Sequence, residues 1–199
     1  ERPIKWVAER TESFLTDTHG RDHVTHAELA VTNDGKFLGF KNETIANLGA
    51  YARVFGTVTP TYLFGPCATG VYTIPAAYSN VKAVYTNTAP VDAYRGAGRP
   101  EATYTIERLV EKAAMELGID KTEIRMKNFP SEFPFKQTLV HTVDSGDYVA
   151  GLEKAKQMAD YAGFEGRRKK SEANGKLRGI GVSSYFEACG IAPSAAVMS

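Results

Sequence analysis

The 199 residues carry 24 Lys and Arg against 23 Asp and Glu, a formal net charge of +1, and 43% of them are hydrophobic. That balance gives no field-level attraction to nucleic acid or an anionic membrane, and that apolar content excludes a disordered chain. Cys67 and Cys189 lie far apart and match no metal-ligand spacing, and no run is long enough to span a membrane, so a reduced, cytoplasmic chain without disulfides is expected.

In chain order, residues 2–8 alternate and predict a strand with Trp6, the only tryptophan, in the core. His19, His23 and His26 follow, with Asp17 and Asp22 nearby. Their spacing matches no standard metal site, and a strand turns His23 and His26 to opposite faces, so a solvated strand entry is the expectation. Ala27, Leu29 and Val31 alternate with polar residues, Asn33-Asp34-Gly35-Lys36 makes a turn, and Phe37 resumes the pattern, which predicts a hairpin. Residues 44–73 are glycine-studded and aromatic, and read as an irregular buried wall containing Cys67 as a small core residue. Residues 72–75 and 81–86 read as two further strands.

The second of these delivers the chain to the stretch Ala93-Tyr94-Arg95-Gly96-Ala97-Gly98-Arg99-Pro100-Glu101-Ala102. Gly96 and Gly98 permit positive φ and close approach, and Pro100 fits a first helical turn. Ile106, Leu109, Val110, Ala113 and Leu117 then fall at helical spacing, with Gly118 as the stop. A glycine loop at a helix N-terminus, flanked by Arg95 and Arg99, favours an anion or polar oxo group, while a plain tight turn with solvated arginines fits the same residues. It is not a dinucleotide fingerprint, because Glu101 stands where the third glycine belongs and residues 90–92 make a poor strand.

Farther on, Asp120 and Glu123 form a capping-box pattern at the start of a short helix that Phe129-Pro130 ends. The proline-bearing connector 131–142 is where a domain boundary is expected, and Asp144-Ser145-Gly146-Asp147 opens a helix with Tyr148, Leu152, Ala155 and Ala159 on one side. The run Arg167-Arg168-Lys169-Lys170 reads as a solvated helix face, and residues 179–186 as a last strand. Glu1 is no initiator methionine and residues 192–199 bring no closing element, as expected of a piece of a longer chain.

Read together, Arg2-Pro3-x-x-Trp6, Val84-Tyr85-Thr86-Asn87-Thr88, the arginine-glycine loop, Arg125-Met126-Lys127-Asn128 and Asp144-Ser145-Gly146-Asp147-Tyr148 resemble one family. It is the molybdopterin-binding large subunit of the xanthine oxidase and aldehyde oxidase type of molybdenum hydroxylase, in the branch of the aerobic carbon monoxide dehydrogenase large chain. The resemblance implies an α+β fold with mixed sheets and flanking helices. It also implies that residues 1–130 are the C-terminal part of a first molybdopterin-binding domain and 131–199 the N-terminal part of a second. The activity implied is oxidation of an aldehyde or heteroaromatic carbon with water-derived oxygen. Electrons would pass to iron-sulfur clusters on a small subunit and FAD on a medium subunit, in a dimer of heterotrimers, with a small-molecule substrate and neither nucleic acid nor membrane as partner.

The resemblance further implies molybdenum-molybdopterin in its cytosine dinucleotide form, held by Tyr94, Arg95, Gly96, Ala97 and Gly98, with the Arg95 backbone nearest the metal. Ser184, Tyr185 and Phe186 would line the substrate funnel. No catalytic residue is expected within this chain, since the base glutamate of the family lies beyond Ser199. Glu101 reads as a first-turn helix acid and Glu107 as an exposed helix position. Carbon monoxide dehydrogenases have a copper-binding cysteine where Gly96 stands, and purine-oxidising relatives an arginine near Leu63, which weakens both substrates. A non-catalytic packing module, or phosphate binding through Arg95, Arg99 and residues 167–170, are the alternatives.

Overall fold

The alternating residues of the first third fold as β1 (His23–Val31) against β2 (Phe37–Gly49), in a computed structural model that describes residues 2–187. The strands are antiparallel, from His23 opposite Ala46 to Val31 opposite Phe37, and Gly35 N donates to Thr32 O at 2.9 Å to close the expected hairpin turn. His23 and His26 take opposite faces of β1, His23 half-buried and His26 exposed. β2 runs on through residues 44–49, which had read as irregular, because Asn42, Thr44, Ala46 and Leu48 keep a buried face at every second position.

β3 (Ala77–Tyr85) pairs with β2 in parallel, giving a three-stranded sheet in the order β1, β2, β3. A parallel neighbour demands a long crossover. Residues 50–76 provide it as a π-helical turn (Thr59–Leu63), a 3-10 turn (Gly65–Cys67) and irregular chain that buries Phe64, Cys67, Val71, Tyr72 and Ile74. Residues 72–75 are therefore not a strand, although Tyr72 and Ile74 are core.

α2 (Arg99–Leu117) turns Ile106, Val110 and Ala114 into a core shared with Phe37, Phe40, Tyr72, Ile124 and Phe129. Each large apolar side chain so buried contributes about 1.5–3 kcal/mol. Gly118 ends α2 in the left-handed conformation at φ +65°. α3 (Lys121–Lys127) follows, and Asn128 locks its end to the hairpin. The Asn128 Oδ1 accepts from Phe37 N at 2.8 Å and its Nδ2 donates to Gly35 O and Ile124 O, each at 2.8 Å.

Asp120 caps α3, its Oδ1 accepting from Thr122 N at 2.7 Å and Glu123 N at 3.3 Å. Burial pushes this carboxyl up, but the hydrogen bonds from Thr122, Tyr161 and the Glu123 amide outweigh it and hold the group below 3.8. A carboxyl depressed by folding adds stability above its unfolded pKa and loses that contribution as pH falls through the folded one. Asp120→Ala is thus expected to cost about 1 kcal/mol near neutral pH, and progressively less below about pH 4, measured as a shift in the urea midpoint.

The remaining elements are α1 (Arg10–Thr16), the short hairpin β4 (Phe135–Lys136) and β5 (Thr142–Val143), α4 (Tyr148–Met158) capped by Asp147, and α5 (Phe164–Glu172). The whole is α+β, as expected. Besides residues 72–75, two more expected strands do not form. Residues 2–8 have no strand partner among the described residues, and Trp6 is 68% exposed instead of buried. Residues 179–186 join no sheet among the described residues, although residues 180–187 alternate between half-buried and exposed as a strand would. Among the described residues no helix is long and apolar enough to cross a membrane.

Candidate functional site

β3 and the chain after it decide where the glycine loop sits. Thr86 N donates to Gly49 O at 3.0 Å and Val91 N to Leu48 O at 3.0 Å, so the chain stays fastened to the end of β2 until residue 91. The Asp92 carboxylate then accepts from Phe55 N at 3.0 Å and Ala93 N at 2.8 Å, and releases the chain into the loop. Gly96, Ala97 and Gly98 all take positive φ, +93°, +41° and +88°, and α2 begins at the next residue.

The glycines are required for different reasons. A Cβ on Gly98 would lie 2.5 Å from Thr59 O and 2.7 Å from Phe64 N, so the loop passes in backbone contact with the π-helical turn that holds Leu63. A Cβ on Gly96 would meet the Pro100 ring at 2.5 Å. Two loop amides are spent on the turn itself: Ala97 N donates to Tyr94 O at 2.7 Å and Arg99 N to Gly96 O at 3.2 Å. Those of Gly96 and Gly98 find no acceptor among the described residues. The Arg95 side chain is exposed and makes no ion pair among the described residues. Two amides without an acceptor among the described residues, of which Gly98 is buried, an exposed guanidinium and the positive end of a 19-residue helix form a donor set that fits an oxo or anionic group such as molybdenum-molybdopterin.

The loop is braced from a residue that sequence reading passed over. Arg21 donates to Arg95 O, stacks its guanidinium over the Tyr94 ring at 4.9 Å and pairs with Glu101 at 3.7 Å. Glu101 is indeed a first-turn acid, and its second carboxylate oxygen is buried without a partner among the described residues. His23 packs edge-on against Phe64 at 5.3 Å, and burial lowers its pKa despite the opposing charges of Glu101 and Asp22. The three histidines do not converge, and no metal-holding group of side chains occurs among the described residues.

Arg99 joins this loop to the segment 180–187. Its Nη1 donates to Gly96 O at 3.1 Å and its Nε lies 3.3 Å from the Glu187 carboxylate. Of the three residues expected to line a substrate funnel, Phe186 packs against both core clusters, Ser184 is half-buried, and Tyr185 is 65% exposed. Phe186 also meets the His141 ring edge-on at 5.9 Å, and His141 Nε2 lies 3.5 Å from Cys67 Sγ. Burial raises the thiol to about 11 and lowers the imidazole, so the two stay neutral and Cys67 is a core residue with a distant neighbour that spacing could not reveal.

Glu107 corrects the sequence reading most sharply. Far from exposed, its side chain is 8% accessible and paired with Arg125, which is fully buried. The reason lies in Tyr72, whose hydroxyl donates to the same carboxylate, and in Ser184, whose amide donates to it at 3.0 Å.

A family model described as the molybdopterin cofactor-binding domain matches residues 1–129. The carbon monoxide dehydrogenase large chain of Hydrogenophaga pseudoflava is 41% identical over 201 residues, covering 97% of this chain and 25% of its own length. Subunit gamma of the 6-hydroxypseudooxynicotine dehydrogenase complex of Paenarthrobacter nicotinovorans is 34% identical over 200 residues, covering 95% of this chain and 25% of its own. Among solved structures, quinoline 2-oxidoreductase from Pseudomonas putida 86 superposes with a TM-score of 0.79 at 32% identity, over 85% of this chain and 22% of that one. The chain thus spans about a quarter of the length of these curated relatives. With the domain match over the loop and these likenesses along the chain, it belongs to the molybdopterin-binding large-subunit family of the xanthine and carbon monoxide dehydrogenases.

Proposed function

We propose that this chain is part of a molybdenum hydroxylase large subunit that oxidises a heteroaromatic or aldehyde carbon, and that its share of the work is to hold and orient the cofactor. The observation that carries the reading is the loop at the head of α2, where the Gly96 and Gly98 amides find no acceptor among the described residues. Tyr94, Arg95, Gly96, Ala97 and Gly98 would hold molybdenum-molybdopterin, in its cytosine dinucleotide form, with the Arg95 backbone nearest the metal. When bound, the cofactor supplies the redox chemistry. The loop amides would donate to it and Arg95 would balance its charge, while Arg21 keeps the loop from relaxing by holding the Arg95 carbonyl. Gly96 offers no sulfur, so copper has no ligand in this loop.

Ser184, Tyr185 and Phe186 form one wall of the substrate space. We place the boundary between the two molybdopterin-binding domains at residues 130 and 131, and iron-sulfur and FAD subunits as electron acceptors in a cytoplasmic dimer of heterotrimers. The absence of sulfur at Gly96 speaks against carbon monoxide, although a carbon monoxide dehydrogenase large chain is 41% identical, and the likeness to quinoline 2-oxidoreductase and the kinship with 6-hydroxypseudooxynicotine dehydrogenase support a nitrogen heteroaromatic.

The test is metal analysis of the complete subunit with Arg95→Ala beside it. Since Arg95 is exposed, its loss leaves packing intact, so the variant is expected to retain the wild-type melting temperature while molybdenum content or turnover falls about tenfold. Unchanged metal and unchanged rate would remove the loop from the cofactor site.

A further inference from the structure

The segment 180–184 alternates between half-buried and exposed as a strand would, and has no strand beside it among the described residues. Its inner edge is met instead by side chains from α2 and α3. Lys121 Nζ donates to Ile180 O at 3.1 Å, Arg125 Nη2 to Val182 O at 2.9 Å, and Ser184 N to Glu107 Oε2 at 3.0 Å. The anchors fall at every second residue, which is the repeat by which backbone groups of an extended chain face one side. The three side chains are themselves interlocked. Arg125 reaches Glu107 at 2.9 Å and Glu111 at 3.4 Å, and Lys121 reaches Glu111 at 2.7 Å.

The same helix that carries Glu107 and Glu111 starts at the glycine loop. From Arg99 to Glu107 it rises roughly 12 Å along a rigid rod. A helix fixed at one end to the loop and at its middle to the segment sets the distance between them.

We propose that Arg125 and Lys121, with Glu107, are positioning residues that fix the wall segment 180–186 relative to the cofactor loop and thereby set substrate affinity. This rests on the proposed function above. None of the three contacts the loop, so cofactor retention does not depend on them. Arg125→Lys keeps a cation beside Glu107 but loses the planar fork that reaches Glu107 and Val182 O together. Lys121→Met removes the Ile180 anchor at a half-buried position, together with the partly exposed pair to Glu111, whose loss costs the fold little.

The experiment uses the complete molybdenum enzyme with its partner subunits, and quinoline as the probe. Arg125→Lys is expected to raise KM about tenfold, and Lys121→Met about threefold, with kcat and molybdenum content within about twofold of wild type. Amide hydrogen exchange over residues 180–186 is expected to quicken in the same order. Unchanged KM and unchanged exchange in both variants would overturn the inference, as would a fall in kcat that simply follows loss of molybdenum. Wild-type enzyme lacking molybdenum would bring down the proposed function and this inference together, whereas loaded wild type with unaltered variants brings down the inference alone.

Discussion

Glu107→Ala is expected to destabilise the fold by about 3–5 kcal/mol, because it leaves a buried guanidinium without its main partner. Arg125 would retain only Glu111 at 3.4 Å and the Lys121 and Val182 carbonyls. Two further donors would lose their acceptor, the Tyr72 hydroxyl and the Ser184 amide. Burial pushes the Tyr72 phenol well above 10 and the Glu107 charge raises it further, so it remains a donor at any working pH. Burial works against the Arg125 cation, but Glu107, Tyr72 and Glu111 more than restore it. The loss therefore comes from stranded polar groups and not from a change of charge state elsewhere. Urea denaturation of the complete subunit is the measurement, and the paired replacement Glu107→Leu with Arg125→Met is its control. Removing both charges at once should recover the share of the loss owed to the stranded guanidinium, with the Tyr72 hydroxyl and the Ser184 amide unpaired in both variants. Equal losses for the single and the paired replacement would show that packing and the Tyr72 and Ser184 donors, and not the unpaired charge, govern the position.

Gly98→Ala is the second large effect. At φ +88° an alanine is strained by about 1–3 kcal/mol before any contact is considered. Its Cβ would also stand 2.5 Å from Thr59 O and 2.7 Å from Phe64 N, backbone atoms that move only if the π-helical turn moves with them. Phe64 is fully buried and holds the His23 ring, so the displacement spreads to β1. The variant is expected to lower the melting temperature and to lose most of its molybdenum. Gly118→Ala separates the two causes, since Gly118 has φ +65° but a Cβ placed there would meet nothing within 4 Å. A Gly98 variant no worse than the Gly118 one, with full metal content, would mean that close packing at the loop is unimportant.

Where the determinants are local, the sequence is readable. The hairpin around Gly35, the α2 stripe with its Gly118 stop, the Asp120 cap and the positive-φ loop all depend on residues within a few positions of one another, and all stand in the structure. What escaped depends on neighbours far along the chain. Glu107 looks like a surface acid until Arg125 and Tyr72 are placed beside it, 18 and 35 residues away. Arg21 supports a loop 74 residues later, and Cys67 meets His141 over the same span of sequence. Trp6 failed for the opposite reason: an apolar, alternating segment has strand chemistry, but a strand exists only with a neighbour, and none of the described residues provides one.

The side-chain row beneath residues 180–184 has an implication for how such a wall diversifies. A strand in a ladder can shift only by whole register steps, and a one-residue slip turns every side chain to the other face. A strip pegged by Lys121, Arg125 and Glu107 is freed from that arithmetic, because each peg can lengthen, shorten or disappear on its own while the helices underneath keep their packing. On the proposed function, divergence of the substrate space toward new molecules could then proceed in increments smaller than a residue, with the glycine loop left untouched.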